Sequence, residues 1–370
     1  MSRRDAAVET VLRKRWPDPA CWDAVVDAVC SAESSYDADQ VLIQAGTAIA
    51  RHADRIAVDL RRQQGSFGTA VGRGVTVRAL ALAGTGDLRA LPALHSLAEH
   101  CGLPYSRPEA RVMAALPPAP AELAAVMRTK LRRDGDRYHG NTTALEVLAL
   151  CGADAALAVD DVAMRLDTQY AYDAMRVLGR IGPPAAATAD RLAAYATGRG
   201  KGARGSYPRR AAWAHWKVTG DPALALDVCG AAVRTGTASH GLPFLADLGP
   251  LAAAHAAPVR RLMESPGAWT RTYAAHAYWR ITGDPGPAIP ALLAQVDPAW
   301  DGDPAMPVRE AVRTQGEIGA PAVSAAPLLR RILAQGERLG RPRAGVRILA
   351  DQAYVRTLTE ALEGIDGWGK

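Results

Sequence analysis

Residues 277–285 decide the fold, and they read Ala-Tyr-Trp-Arg-Ile-Thr-Gly-Asp-Pro. Apolar side chains recur at helical spacing before the glycine, at Ala274, Ala277, Tyr278 and Ile281. Glycine tolerates the left-handed backbone conformation that ends many helices. Aspartate is a good N-cap, and proline suits the first turn of a new helix. The stretch therefore predicts a helix that ends at Gly283 and a second helix that begins shortly after it.

The same phrase recurs along the chain at positions that we call anchors. They are residues 86, 117, 152, 182, 220, 249, 283 and 319, separated by 29 to 38 residues. This period is typical of stacked helical hairpins, each with a first helix before the anchor and a second helix after it. The form Thr-Gly-Asp-Pro at Gly220 and Gly283 alternates with a Gly-Pro or Gly-x-Pro form at Gly182, Gly249 and Gly319. The alternation predicts a repeated double hairpin of 63 to 70 residues.

The phrases at residues 174–192 and 274–293 resemble those of HEAT-repeat proteins, in particular bacterial HEAT-like arrays of the actinobacterial type. The resemblance implies an all-α fold, an α-solenoid of about eight antiparallel helical hairpins whose second helices line the concave side. We expect an N-terminal helical cap at 1–65, degenerate repeats at 66–165, clear HEAT-like repeats at 166–336 and a C-terminal capping helix at 337–370. Within the cap, Tyr36 to Arg62 is predicted as one helix, capped by Ser34 or Ser35. The resemblance implies no single activity.

Composition excludes several classes of protein. Hydrophobic residues make up 49% of the chain, charged residues 22% and aromatic residues 5%, which argues against a β-sandwich and against wholesale disorder. No stretch is apolar enough for a membrane span or a signal peptide, so we expect a cytoplasmic protein with no membrane partner. The five cysteines form no CxxC pair, which predicts buried thiols and neither a metal site nor a cofactor.

We predict no catalytic residue and favour a non-enzymatic role. HEAT-like hydroxylases need His-Glu pairs, and none of the eight histidines precedes a glutamate. HEAT-like DNA glycosylases hold a base with Trp, Asp and Arg, and the nearest local similarity here is Trp22-Asp23 with Asp27. Five residues separate Trp22 from Asp27, which is not one helical turn. His276 beside Trp279 indicates core packing or, alternatively, a stacking site.

Two basic features remain as candidate binding sites. The glycine-rich segment 198–210 contains five basic residues and one aromatic residue but no acidic residue. These candidate residues are Arg199, Lys201, Arg204, Tyr207, Arg209 and Arg210. Such a segment can approach an anion closely, although a solvated insertion has the same composition. The second feature is two arginine pairs, Arg260-Arg261 and Arg330-Arg331, each 11 and 12 residues after an anchor.

If second helices line the concave side, the arginine pairs form a positive stripe that Lys130, Arg132 and Arg133 extend. Alternatively, the arginine stems cover the apolar seam between repeats. We expect an acidic protein partner, with the chain acting as a scaffold, a regulatory subunit or a toxin-neutralising factor. The alternative is a nucleic-acid-binding array, including a glycosylase-like repair or self-resistance protein. A third possibility is an accessory enzyme of a biosynthetic pathway.

Overall fold

A computed structural model describes residues 3–31, 35–66, 73–97, 120–134, 138–200, 207–234, 240–340 and 347–367. Within these ranges the chain is helical and has no β-strand, which confirms the predicted all-α class. None of the helices described is long and apolar enough to cross a membrane. The anchor at Pro117 and the candidate site residues Lys201 and Arg204 lie outside the described ranges.

The α-helices of these ranges are α1 (Arg3–Arg13), α2 (Pro19–Cys30), α3 (Tyr36–Gln44), α4 (Ala53–Ser66), α5 (Arg73–Gly84), α6 (Leu91–Ser96), α7 (Pro120–Asp134), α8 (Tyr138–Cys151), α9 (Val159–Ala163), α10 (Ala171–Ile181), α11 (Ala189–Ala196), α12 (Tyr207–Thr219), α13 (Ala223–Arg234), α14 (Leu242–Leu248), α15 (Ala256–Leu262), α16 (Ala268–Thr282), α17 (Ala288–Leu293), α18 (Val308–Ile318), α19 (Ala326–Leu333) and α20 (Arg347–Asp366). Shorter 3₁₀ helices occupy Gly46–His52, Leu88–Ala90, Gly152–Ala158, Met164–Asp167, Pro183–Thr188, Gly249–His255 and Ala320–Ala325.

The helix ends predicted at the anchors are confirmed wherever the structure describes them. All seven described anchors are glycines with positive φ, at residues 86, 152, 182, 220, 249, 283 and 319. The two forms also differ in ψ: Gly283 is left-handed with ψ −2°, whereas Gly182 and Gly319 have ψ −141°. The extended ψ leads straight into a 3₁₀ helix, as at Pro183–Thr188. At the anchors with a known ψ, the two sequence forms therefore have two turn conformations.

The N-terminal segment differs from its prediction. Tyr36 to Arg62 is not one helix, because α3 ends at Gln44 and Gly46 takes φ 55°. The 3₁₀ helix Gly46–His52 and then α4 follow, in the same order as after the Gly-Pro anchors. The cap at Ser35 is confirmed, since its hydroxyl accepts a hydrogen bond from the Ala38 N–H at 3.3 Å. A glycine with positive φ thus ends a helix here without the proline that follows the anchors at Gly182, Gly249 and Gly319.

By backbone contacts the chain divides into two compact units. The first contains residues 1–190, 217–219 and 344–349, and the second contains 191–216, 220–343 and 350–370. In the first unit α7 packs on α8, and α8 packs on α10. In the second unit α14 packs on α16, and α17 packs on both α16 and α18. Within each unit, therefore, helices that are neighbours or next neighbours in the sequence pack against each other.

One contact between anchors recurs at the interval of a double hairpin. A methyl group added at Gly182 would lie 3.7 Å from the carbonyl oxygen of Lys217, and one added at Gly249 would lie 3.5 Å from that of Arg280. Lys217 and Arg280 each lie three residues before an anchor. The same backbone approach is therefore made in both copies.

Candidate functional site

Arg260 and Arg261 lie in the last turn of α15, and both are exposed. The Arg260 guanidinium lies over the ring of buried Tyr278, 5.9 Å from its centroid. Tyr278 belongs to α16, the first helix of the next hairpin. The Arg261 side chain makes no hydrogen bond or ion pair with any residue that the structure describes.

Arg330 and Arg331 lie in the last turn of α19 and are also exposed. Arg330 donates from Nη2 to both carboxylate oxygens of Asp366, at 2.8 and 2.7 Å. Asp366 is the last residue of α20, the helix that follows α19. Among the described residues, the Arg331 side chain has no hydrogen-bond or ion-pair partner.

The two pairs therefore divide in the same way. The first member of each pair contacts the following long helix, through a ring at Tyr278 or a carboxylate at Asp366. The second member lies about 100° further round its helix and is exposed to solvent. Arg261 and Arg331 are thus free to bind a group from outside, whereas Arg260 and Arg330 already have internal contacts.

The predicted extension of the stripe along α7 is wrong for Lys130. Lys130 has no exposed surface, so it cannot contribute to a binding face. Arg132 donates to Asp161 at 2.9 Å, and Arg128 donates to its other oxygen at 2.8 Å. Burial raises the pKa of Asp161, but these two guanidinium groups outweigh it and lower that pKa overall. Arg128 and Arg132 therefore make contacts inside the first unit.

The basic segment 198–210 is only partly a loop. Arg199 is exposed and donates from Nε to the Thr197 hydroxyl at 3.1 Å. Tyr207, Arg209 and Arg210 lie in the first turn of α12, since helix formation begins at Tyr207. The Arg210 guanidinium lies 5.6 Å from the centroid of the Phe244 ring. Arg199 is therefore exposed, whereas Arg210 packs on a ring of a neighbouring helix.

Sequence reasoning missed a set of polar contacts between successive first helices. His276 on α16 approaches two carboxylates of α18, with Nε2 3.5 Å from Glu317 and Nδ1 4.0 Å from Glu310. Arg313 forms ion pairs with both glutamates. His276 also stacks on Trp279, with ring centroids 6.1 Å apart. The cluster joins α16 to α18, which favours the packing interpretation of His276.

The features that suggested a glycosylase have a structural role. Trp22 is only 5% exposed, so its ring offers no surface on which a base could stack. Asp23 pairs with Arg51 and His52, and Asp27 pairs with Arg55. Both carboxylates are therefore neutralised by the 3₁₀ helix and α4 that follow α3.

An open cleft of about 350 Å³ lies beside these pairs, lined by Cys30, Asp54, Arg55, Val58, Asp59 and Arg62. Burial raises the pKa of the Cys30 thiol, which disfavours the thiolate form. Beneath it, the buried Arg78 is ion-paired with Asp59 and donates to the backbone carbonyl of Gly74. Across the described ranges, no group of three His, Cys, Asp or Glu side chains is arranged to hold a metal ion.

No family model matches the chain, and no curated protein matches it. Among solved structures, it is similar to a chain in a crystal structure of an engineered protein from the Northeast Structural Genomics Consortium. The similarity covers 99% of this chain and 99% of that chain, at 15% identity and a TM-score of 0.36. A similarity at this level bears on neither the arrangement of the hairpins nor the function.

Proposed function

We propose that the chain is a non-enzymatic, HEAT-like α-solenoid protein that binds an acidic protein partner, as a scaffold, a regulatory subunit or a toxin-neutralising factor. The observation that carries this proposal is the equivalent exposure of Arg261 and Arg331, each on the last turn of a second helix. Repeated placement of an exposed cation is what a surface that tracks an extended acidic ligand requires.

Guanidinium groups favour a partner that carries oxyanions, either carboxylates or phosphates. A planar guanidinium binds a carboxylate through two parallel N–H donors, and the bond is stronger than one between neutral groups. Arg330 already holds a carboxylate, that of Asp366, which supports the choice of ligand. The proposed surface comprises Arg260, Arg261, Arg330 and Arg331, together with Arg199, Lys201, Arg204, Tyr207, Arg209 and Arg210 of the basic segment.

The test uses two probes and a matched control. A fluorescent oligoglutamate peptide and a nonspecific DNA duplex are titrated with the purified chain over a series of salt concentrations. We expect R261A/R331A to weaken oligoglutamate binding several-fold. The control R13A/R180A removes two other exposed arginines and therefore gives the same change in net charge. We expect it to bind like the wild type.

Two outcomes contradict the proposal. If R261A/R331A and R13A/R180A lose the same amount of affinity for oligoglutamate, the binding depends only on net charge. Tighter binding to the duplex than to oligoglutamate, with a steep salt dependence, would favour a nucleic-acid-binding array, because each phosphate contact releases counterions.

A further inference from the structure

The C-terminal end of α20 carries negative charges, which interact unfavourably with the helix dipole. Glu360, Glu363 and Asp366 are exposed in the last two turns. A helix C-terminus bears partial negative charge, so carboxylates there are unfavourable and basic residues are the stabilising choice. The spacing of three residues places the three acids on one face of the helix. Helix stability does not explain this arrangement.

The last of these acids lies on the proposed binding surface. Asp366 accepts two hydrogen bonds from Arg330, the first member of an arginine pair. Both side chains are about half exposed, 55% for Arg330 and 49% for Asp366. Ion pairs at this level of exposure are weak and exchange readily with other ligands.

Beyond Leu349, α20 belongs to the second unit and is held firmly there. A methyl group added at Gly316 of α18 would lie 2.4 Å from the Cα atom of Ala361, so the two helices are in backbone contact. Asp351 is fully buried and pairs with buried Arg338 at 3.0 Å. The Asp366 side chain can therefore leave Arg330 while the helix stays in place.

We propose that the acidic end of α20 is a tethered pseudo-ligand, in which Asp366 occupies Arg330 until a carboxylate of the partner displaces it. This inference rests on the proposed function, and it specifies the partner's binding element. That element is a helical segment with acidic side chains on successive turns of one face, as in Glu360, Glu363 and Asp366. Binding exchanges one carboxylate for another at Arg330 and adds contacts to exposed Arg331.

The experiment measures how much Asp366 competes with an added acidic ligand. The full chain, as wild type and as D366N, is titrated into a fluorescent oligoglutamate peptide at low ionic strength. We expect D366N to bind about two- to five-fold more tightly, the range that loss of one exposed ion pair allows. The control E9Q removes an exposed acid of α1 and gives the same change in net charge. It should leave the affinity unchanged.

A second comparison assigns the gain to Arg330. In an R330A background, adding D366N should have no effect, because the competing pair no longer exists. The inference would be overturned if D366N and E9Q raised the affinity for oligoglutamate equally. It would also be overturned if D366N raised the affinity in the R330A background as much as it does in the wild type. If D366N matches the wild type while R261A/R331A still weakens binding, the pseudo-ligand is disproved and the proposed function stands. If neither the wild type nor D366N binds oligoglutamate, both fail.

Discussion

The indole N–H of Trp213 donates to Oδ2 of Asp247 at 2.7 Å and thereby joins α12 to α14. His276 and Glu317 occupy the same two positions one double hairpin later, joining α16 to α18. The ring lies seven residues before an anchor in both copies, and the carboxylate lies two residues before the next anchor. One contact between helices therefore recurs at the 63- to 70-residue interval of the sequence repeat.

The Glu317 contact predicts a pH dependence of stability. Burial raises the pKa of Glu317, but the hydrogen bond from His276 and the charges of Arg313, His276 and Arg280 lower it below its usual value near 4.5. The folded state therefore binds fewer protons than the unfolded state in this range. Stability is full above about pH 5 and falls as the pH drops through the lowered pKa. In urea unfolding at a series of pH values, E317Q should lose less stability at acid pH than the wild type does. The same dependence of stability on pH in both proteins would contradict this prediction.

His255 predicts a second dependence nearer neutrality. Burial and the charge of Arg234 lower its pKa below 6.5, partly offset by its hydrogen bond with the Leu226 backbone. As the pH falls, the unfolded chain takes up a proton before the folded chain does, so stability decreases between about pH 7 and 5. In H255Q this part of the unfolding profile should become flatter. A profile that stays as steep as that of the wild type would show that other groups are responsible.

The two anchor conformations predict different costs of substitution. Gly283 is left-handed, and a methyl group there would meet no atom within 4 Å, so G283A should cost about 1 kcal/mol from backbone strain alone. Gly319, at φ 77° and ψ −141°, lies near the region that only glycine occupies, so G319A should cost about 1–3 kcal/mol. Asparagine tolerates the left-handed conformation, and hence G283N should recover part of the loss while G319N should not. The denaturant midpoints of the four variants measure these costs. Equal losses of stability at Gly283 and Gly319 would contradict the difference between the two conformations.

Two buried glutamines predict opposite effects of the same substitution. Gln315 is fully buried, and among the residues that the structure describes neither polar atom of its amide has a hydrogen-bond partner. Gln44 is equally buried, but its Oε1 accepts from the N–H groups of Ile348 and Leu349, and its Nε2 donates to Gln40. Q315L should therefore stabilise the chain by about 1–2 kcal/mol, and Q44L should destabilise it by at least as much. Shifts of the same sign in thermal unfolding would contradict this pairing.

Helix ends were predictable because they depend on a few adjacent residues. Gly283 ends α16 as predicted. The predicted restart is wrong in detail, because α17 begins only at Ala288 and the Asp284 side chain accepts from the Gly286 N–H instead of capping that helix. Gly46 was missed because neither Asp nor Pro follows it. A helix can run through a glycine at modest cost, so the sequence alone did not require a break there.

The contacts of the arginine pairs were not predictable in the same way. Tyr278 is 18 residues beyond Arg260, and Asp366 is 36 beyond Arg330. Such partners depend on how the helices pack, which a local pattern does not determine. The burial of Lys130 is a further example, since most lysines of a helix are exposed.

The most direct test of the account is the rate at which bound oligoglutamate dissociates. A direct carboxylate contact slows dissociation, whereas a rim charge mainly changes the association rate. We expect the variant with Arg260, Arg261, Arg330 and Arg331 all changed to Ala to release the peptide at least ten-fold faster than the wild type, a loss of about 1.4 kcal/mol or more. A second variant has the charges of the basic segment neutralised, at Arg199, Lys201, Arg204, Arg209 and Arg210. We expect its association rate to change more than its dissociation rate. If the quadruple variant folds normally and its dissociation rate is unchanged, these arginines are ordinary solvated surface and the central claim is wrong.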